Sequence, residues 1–207
     1  MALLNDQVVV IKSVNYGEAD KILTVYGHLG GKFALIAKGL RKIESKSRGN
    51  MQTLSLSRIS YFEGQTMGIL RESELIATPD INKIEIKNAE RVLLVMNKLL
   101  PEAERDDAIF EKFSGLIKGE FSLERVNRFR MLLLRELGYL PDMNVCVLTG
   151  STEGLKYFDP ALLGLVSTTA VEAGVAGSER AIQLSEVGYA STIMTNSLDN
   201  YIRTLIN

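Results

Sequence analysis

The chain has 207 residues, 46% apolar and 24% charged, which is the make-up of an ordinary globular protein and excludes a disordered or collagen-like one. Its 24 basic and 25 acidic residues leave a net charge of -1, so a globally basic nucleic-acid binder is excluded while a locally basic one is not. One cysteine (Cys146), one histidine (His28) and no tryptophan exclude an internal disulfide and a thiolate-rich zinc site, and leave a histidine-based catalytic triad without announced partners.

Residues 1 to 78 carry strand patterning. Val8-Val9-Val10-Ile11 opens a first strand rich in β-branched residues, and Asp20–Tyr26 forms a second. Gly27 to Gly31 supplies a turn, since paired glycines accept positive φ. Lys32–Lys38 alternates, with Phe33, Leu35 and Ala37 on one face and Ala34, Ile36 and Lys38 on the other. A polar loop rich in Lys, Arg and Ser runs from Gly39 to Met51. Gln52–Phe62 reads as a fourth strand whose apolar positions change phase, from Leu54 and Leu56 to Ile59 and Tyr61, which predicts a bulge at Ser57 or Arg58. Met67–Ala77 is a fifth strand, and Pro79 ends the region. Five short strands with turns between them fit a small closed barrel. The OB-fold is the leading candidate, with an SH3-like barrel or open sheet as the alternative.

Beyond Pro79 the period changes to that of a helix. Ile84–Leu100 is a first helix, stopped by Pro101, and Asp107–Lys118 a second. Leu123–Leu137 is a third, with Ser122 as its expected cap, Gly138 at its end and Pro141 beyond. Residues 142–176 are mixed and glycine-containing, with Tyr157-Phe158-Asp159 and Leu162-Leu163 as candidates for their packing. Glu179–Val187 and Ser191–Leu205 read as terminal helices. The expected organisation is α+β: a five-stranded OB-fold module over 1–79, then a helical domain over 80–207.

Motif absences narrow the chemistry. No G-x-x-x-x-G-K-S/T phosphate loop and no G-x-G-x-x-G after a strand occurs, and Gly30-Gly31-Lys32 is too short to qualify. No basic leader with a long apolar run opens the chain, and no stretch approaches the roughly 20 apolar residues that span a bilayer. With no disulfide pattern, the cytoplasm is the expected location.

Local charge is more informative than net charge. Residues 1–80 hold 10 basic and 8 acidic residues, residues 81–140 hold 11 and 10, and residues 141–207 hold 3 and 7. Between residues 32 and 48, Lys32, Lys38, Arg41, Lys42, Lys46 and Arg48 face Glu44 alone. Beside a barrel, such a run suits phosphate contacts, with Tyr16, Tyr26, Phe33, Tyr61 and Phe62 as available base-stacking aromatics. A solvated loop over core aromatics is the alternative. On the third helix, Arg125, Arg128, Arg130 and Arg135 accompany Phe129, Leu132, Leu133 and Leu137. That pattern suits either a solvated basic stripe or a site for an acidic peptide.

Two segments carry a family resemblance. Val14-Asn15-Tyr16-Gly17-Glu18-Ala19-Asp20-Lys21-Ile22-Leu23-Thr24, the Gly31-Lys32 turn and Ala37-Lys38-Gly39-Leu40-Arg41-Lys42 resemble the opening of the RecO family of DNA repair and recombination mediators. Gln52–Tyr61 and Ser73-Glu74-Leu75 continue the match, and Phe129–Asp142 resembles the family's helix and its exit. Cys146 then stands where a first zinc cysteine would, but Thr149 occupies the second position and no later cysteine or histidine exists. The family's zinc site is therefore expected to be missing.

The resemblance implies an N-terminal OB-fold, a helical C-terminal domain and no catalytic activity or cofactor. It implies binding of single- and double-stranded DNA, ATP-independent annealing, and a nucleoid-associated cytoplasmic place. Expected partners are RecR, the C-terminal tail of the single-stranded-DNA-binding protein, and RecA, which the family helps to load. With the basic run, it makes Lys38, Arg41, Lys42, Lys46 and Arg48 the expected DNA contacts, with Lys21, Lys32 and Arg71 as additions. Arg128, Arg130 and Arg135 are the expected contacts for the acidic tail. A barrel that binds protein and not DNA, an interaction adaptor, is the alternative function.

Overall fold

The structure is a computed structural model that describes residues 2–80 and 85–207. It divides into two compact units, Met1–Phe121 and Ser122–Asn207.

The first unit is built on five strands: β1 (Leu3–Tyr16), β2 (Asp20–Gly27), β3 (Gly31–Ala37), β4 (Leu56–Phe62) and β5 (Gly68–Ala77). They close in the order β1-β2-β3-β5-β4, all neighbours antiparallel except β3 and β5. This closed five-stranded barrel is the OB-fold, and closure leaves it no open edge. Closure is tight where β3 meets β5. A Cβ on Gly68 would lie 2.7 Å from Leu35 Cδ2 and 2.9 Å from Tyr61 Cδ2, so only glycine fits there. Val8, Val10, Leu23, Val25, Leu35 and Ile59 fill the interior with Tyr61, and Leu4, Phe33 and Leu70 pack against them. Each large aliphatic side chain so buried contributes about 1.5–3 kcal/mol.

Two strands differ from expectation. β1 runs well beyond Val8–Ile11 because it pairs on both sides. Leu3 to Val9 pair with β4, and Val8 to Tyr16 pair with β2, around an irregularity between Val10 and Lys12. β4 begins at Leu56, not Gln52, because Leu54 takes a left-handed conformation (φ 67°) that no strand continues through. The register slip at Leu56/Ser57 is the expected bulge, and a second slip, at Ser60/Tyr61, lies beyond the expectation.

Two helices complete this unit: α1 (Ile86–Lys98) and α2 (Asp107–Lys118). The expected start of α1 at Ile84 lies outside the described residues. Asn97 Nδ2 donates to the Ile11 carbonyl (2.9 Å), which ties α1 to the barrel wall. Asp106 caps α2, accepting from Ile109 N at 2.9 Å. The buried Tyr26 hydroxyl bonds the Asp106 backbone, and the His28 ring stacks on Phe110 at 4.9 Å, so the start of α2 is tied to the end of β2 and the turn after it.

The second unit contains α3 (Leu123–Glu136), β6 (Leu155–Asp159), β7 (Gly164–Ser167), α4 (Thr168–Glu172), β8 (Ile182–Gln183) and α5 (Thr192–Ile206). Ser122 stands at the start of α3 but makes no side-chain cap; Ser191 does cap α5, accepting from Met194 N. β7-β6-β8 form a small antiparallel sheet. The helix expected over Glu179–Val187 is absent: short 3₁₀ turns flank β8, which pairs with β6. The reason is Asp159. Fully buried, it accepts from Ala161 N and Leu162 N in the β6–β7 turn and pairs with Arg180 at 2.9 Å, fixing Arg180 against the sheet. Phe158 and Leu163 are buried as expected, whereas Leu162 is 40% exposed. No helix among the described residues is long and apolar enough to cross a membrane.

Candidate nucleic-acid interface

The basic loop between β3 and β4 is folded, not loose. Leu40 and Met51, near its two ends, plug into the barrel core. Gly39 N donates to Asp20 Oδ1 (2.7 Å), and Arg41 N donates to the Ala19 carbonyl (2.8 Å). Successive turn bonds follow, from Lys42 N to the Gly39 carbonyl, Ser45 N to Lys42 and Arg48 N to Ser45. Asn50 anchors the far end: its Nδ2 donates to the Ser73 carbonyl (2.7 Å), and its own carbonyl accepts from the Ser55 and Ser57 hydroxyls. The loop is thus solvent-facing along most of its length but held in a defined shape.

This folding brings distant cations together. Lys21 from β2 and Arg41 and Arg48 from the loop line one open depression of about 390 Å³, with Asn15, Leu40 and Gln52. The Arg41 guanidinium is steadied by the Gly17 carbonyl (3.2 Å), and the Gln52 amide reaches the Arg48 carbonyl. None of the lining residues is acidic. Lys38, Lys42 and Lys46 stand exposed on the same loop. Among the described residues, no carboxylate pairs with Lys21, Lys38, Arg41, Lys42, Lys46 or Arg48. Three hydrogen-bond-donating cations around a concavity suit an anion with several oxygens, such as a phosphodiester.

Lys32 and Arg71 do not join them. Lys32 is only 6% exposed. Its ammonium donates to the Asn97 and Leu100 carbonyls at the end of α1 and lies 3.3 Å from Glu102 Oε1. It caps a helix C-terminus, where a cation satisfies orphan carbonyls, and it is not placed to meet DNA. Arg71 lies on β5 with its guanidinium over the Phe62 ring, 5.5 Å from the centroid. The aromatics are also mostly committed. Tyr26 and Tyr61 are buried, Phe33 stacks on Tyr61 at 5.1 Å, and Tyr16 alone of the five is half exposed, at 52%. Burial, with the neighbouring Asp106 and Asp107 charges adding to it against a backbone hydrogen bond, pushes the Tyr26 hydroxyl up to about 12.

The α3 arginines separate as well. Arg130 is 1% exposed; it binds Asp199 at 2.5 Å and the Asn127 amide oxygen at 3.1 Å. It is a core ion pair between α3 and α5 and has no surface to offer a peptide, which corrects its expected role. Arg128 and Arg135 are exposed. Arg128 pairs with Glu124 and lies over the Tyr189 ring at 4.5 Å, and Arg135 pairs with Glu136.

Cys146 is 1% exposed and clusters with Val166 and Ala170. Burial pushes its thiol up, but hydrogen bonds from the Thr149 and Ser167 hydroxyls and from the Ser167 and Leu148 backbone outweigh it and hold the thiol at about 6. A structural zinc takes four donors from thiolate, imidazole and carboxylate. Here the thiol's neighbours are hydroxyls, and among the described residues no three His, Cys, Asp or Glu side chains are grouped to hold a metal. The residues at this position do not fit zinc.

Comparison with known proteins agrees with this architecture. The family described as "Recombination protein O N terminal" matches residues 1–79, and "Recombination protein O C terminal" matches residues 91–189. A DNA repair protein RecO of Thermoanaerobacter sp. (strain X514) is 28% identical over 176 residues, covering 80% of this chain and 70% of the relative. That of Syntrophomonas wolfei is 27% identical over 75% of this chain and 65% of the relative, and that of Acetivibrio thermocellus 31% identical over 73% and 64%. The chain thus spans about two thirds of the length of these curated relatives. Two family matches in the family's order, over a closed five-stranded barrel followed by helices, place the chain in the RecO family.

Proposed function

We propose that this protein acts in DNA repair and recombination as a non-catalytic mediator that binds single- and double-stranded DNA. The observation that carries this reading is the depression lined by Lys21, Arg41 and Arg48, unopposed by any lining carboxylate and continued by Lys38, Lys42 and Lys46. Phosphate contacts release condensed counterions, so affinity falls with salt by about 0.7 in log–log slope per contact on a single strand. A strand whose backbone is neutralised this way repels its complement less. ATP-independent annealing follows from that without a nucleotide site. Loading of RecA together with RecR is the wider role we assign to the full assembly. The exposed Arg128 and Arg135, without Arg130, are the cations we assign to the acidic tail of the single-stranded-DNA-binding protein.

The test is titration of a labelled single-stranded oligonucleotide at several salt concentrations, beside an annealing assay. Arg41→Ala with Lys42→Ala is expected to weaken binding and flatten the slope by about 1.4, two contacts at 0.7 each. An unchanged affinity and slope would remove the loop from the interface. Failure of the wild-type chain to bind DNA at low salt would favour a protein-binding barrel.

A further inference from the structure

Between Gly39 and Met51 the basic loop buries two of its three large apolar side chains and leaves the third in solvent. Leu40 and Met51 are 3% and 0% exposed, but Ile43, between them in the chain, is 90% exposed. It stands in the turn pinned by the bonds from Lys42 N to Gly39 and from Ser45 N to Lys42, two residues beyond Arg41. It is the most exposed large apolar side chain among the described residues. Around it in the loop are Arg41, Lys42, Lys46 and Arg48, with Glu44 the one acid.

Among the described residues, no aromatic lines this depression. Asn15 lines it, and strand alternation turns Tyr16 to the opposite side of β1. Tyr26, Phe33 and Tyr61 are taken up by the core, and Phe62 lies beneath Arg71. A ligand seated on Lys21, Arg41 and Arg48 by its phosphates meets in the depression itself only the buried Leu40; the exposed large apolar group of the same loop is Ile43, two residues along the chain from Arg41. An aliphatic side chain on a rigid turn beside phosphate-binding cations can insert against or between bases, as apolar wedges do in DNA-bending proteins.

We propose that Ile43 is a base-contacting wedge: it packs against unstacked nucleobases of a strand whose backbone is held by Lys21, Arg41 and Arg48. This rests on the DNA-binding reading above and adds to it a contact that is apolar and independent of salt. An anionic membrane would also meet a basic loop with an apolar tip. The family's DNA repair relatives and the concave, multi-cation site favour nucleic acid, since a flat headgroup layer needs no concavity.

The experiment compares the full chain with Ile43→Ser and with Arg41→Ala/Lys42→Ala, each checked for native circular dichroism. Ile43 is so exposed that its replacement leaves the fold intact. The probes are a single-stranded oligonucleotide containing 2-aminopurine and the same length of abasic deoxyribose-phosphate strand. Ile43→Ser is expected to weaken binding of the normal strand about tenfold, since covering a large aliphatic side chain is worth roughly that factor. Its salt slope should match the wild type. The 2-aminopurine emission change on binding should be lost, and affinity for the abasic strand should not change. The charge variant should flatten the slope on both strands. If the wild type binds with a normal slope while Ile43→Ser alters neither affinity nor emission, the wedge is wrong and the DNA-binding reading stands. An equal loss on the abasic strand also overturns it. If the wild type binds no DNA but binds phosphatidylglycerol vesicles through Ile43, both readings fall.

Discussion

Replacing Lys32 by methionine separates the two jobs a cation in this protein can have. The ammonium of Lys32 donates to the Asn97 and Leu100 carbonyls, and Lys32→Met leaves both without that donor. A buried polar group left unpaired costs about 1–3 kcal/mol. The partner carboxylate adds little, because the Glu102 side chain is 71% exposed and water replaces the ion pair. Relief of the buried ammonium's desolvation offsets part of the loss. The net is about 2 kcal/mol of destabilisation. Lys32→Ala also removes three methylenes at about 0.8 kcal/mol each, which brings its cost to about 4 kcal/mol. Urea unfolding followed by far-ultraviolet circular dichroism measures both, and oligonucleotide titration of the folded variants supplies the control. Binding per folded molecule and its salt slope should be unchanged. A Lys32→Met protein within about 0.5 kcal/mol of the wild type, whose salt slope has dropped by about 0.7, would refute this assignment and return Lys32 to the DNA contacts.

Three further outcomes follow from the same reasoning. Arg130→Ala should destabilise the second unit by about 3–5 kcal/mol in urea, because the ion pair with Asp199 is lost from a mostly buried site, whereas Arg128→Ala or Arg135→Ala should cost under about 1 kcal/mol. The Cys146 thiol is held at about 6, below its ordinary 9.0, so the stability it contributes is fully present above pH 9.0 and lost as pH falls through 6. Cys146→Ala should flatten that part of a melting-temperature profile, and EDTA should leave the melting temperature of the wild type unchanged. Tyr26 is pushed the other way, up to about 12 from 10.0, so its contribution is whole below pH 10.0 and lost as pH rises through 12. Burial raises Tyr61 as well, so ultraviolet titration should show more than one tyrosine ionising late, and Tyr26→Phe should remove one of them.

The barrel was legible because its signals are local. β2 and β3 alternate with period 2, and glycine turns bound them, so their limits are read within a residue. The first half of β1 was not legible. Asn5, Asp6 and Gln7 break the apolar pattern, and the strand there is held by backbone pairing to β4. Asp6 has its own task, accepting from Leu29 N and Gly30 N to fix the β2–β3 turn. The short β8 is likewise held by its pairing to β6, while its helical look came from composition. Gln52–Ser55 looked like strand because Leu54 and Leu56 keep the alternation; the left-handed backbone at Leu54 leaves no trace in residue type.

Charge was legible as a density but not as a distribution of tasks. Lys32 sits on the face of β3 opposite Phe33, which alternation reads as outward. It is outward from the barrel, but the end of α1 covers that face. Arg130 joins an aspartate 69 positions away, a pairing no spacing rule on α3 could show. What remains after such removals is the informative set. Arg58 is matched by Glu74, Arg71 rests on Phe62, and Lys32 serves a helix end, while the cations of the β3–β4 loop and Lys21 keep no acidic partner among the described residues. The loop cations sit on a backbone pinned by Leu40, Asn50 and Met51, and Lys21 sits on β2. Fixing a loop before its ligand arrives lowers the ordering entropy that binding must overcome. An unpaired charge on an ordered loop is thus a stronger pointer to a ligand than the same charge count on a free one, and it is this combination that directs the proposed DNA contact to Lys21, Arg41 and Arg48.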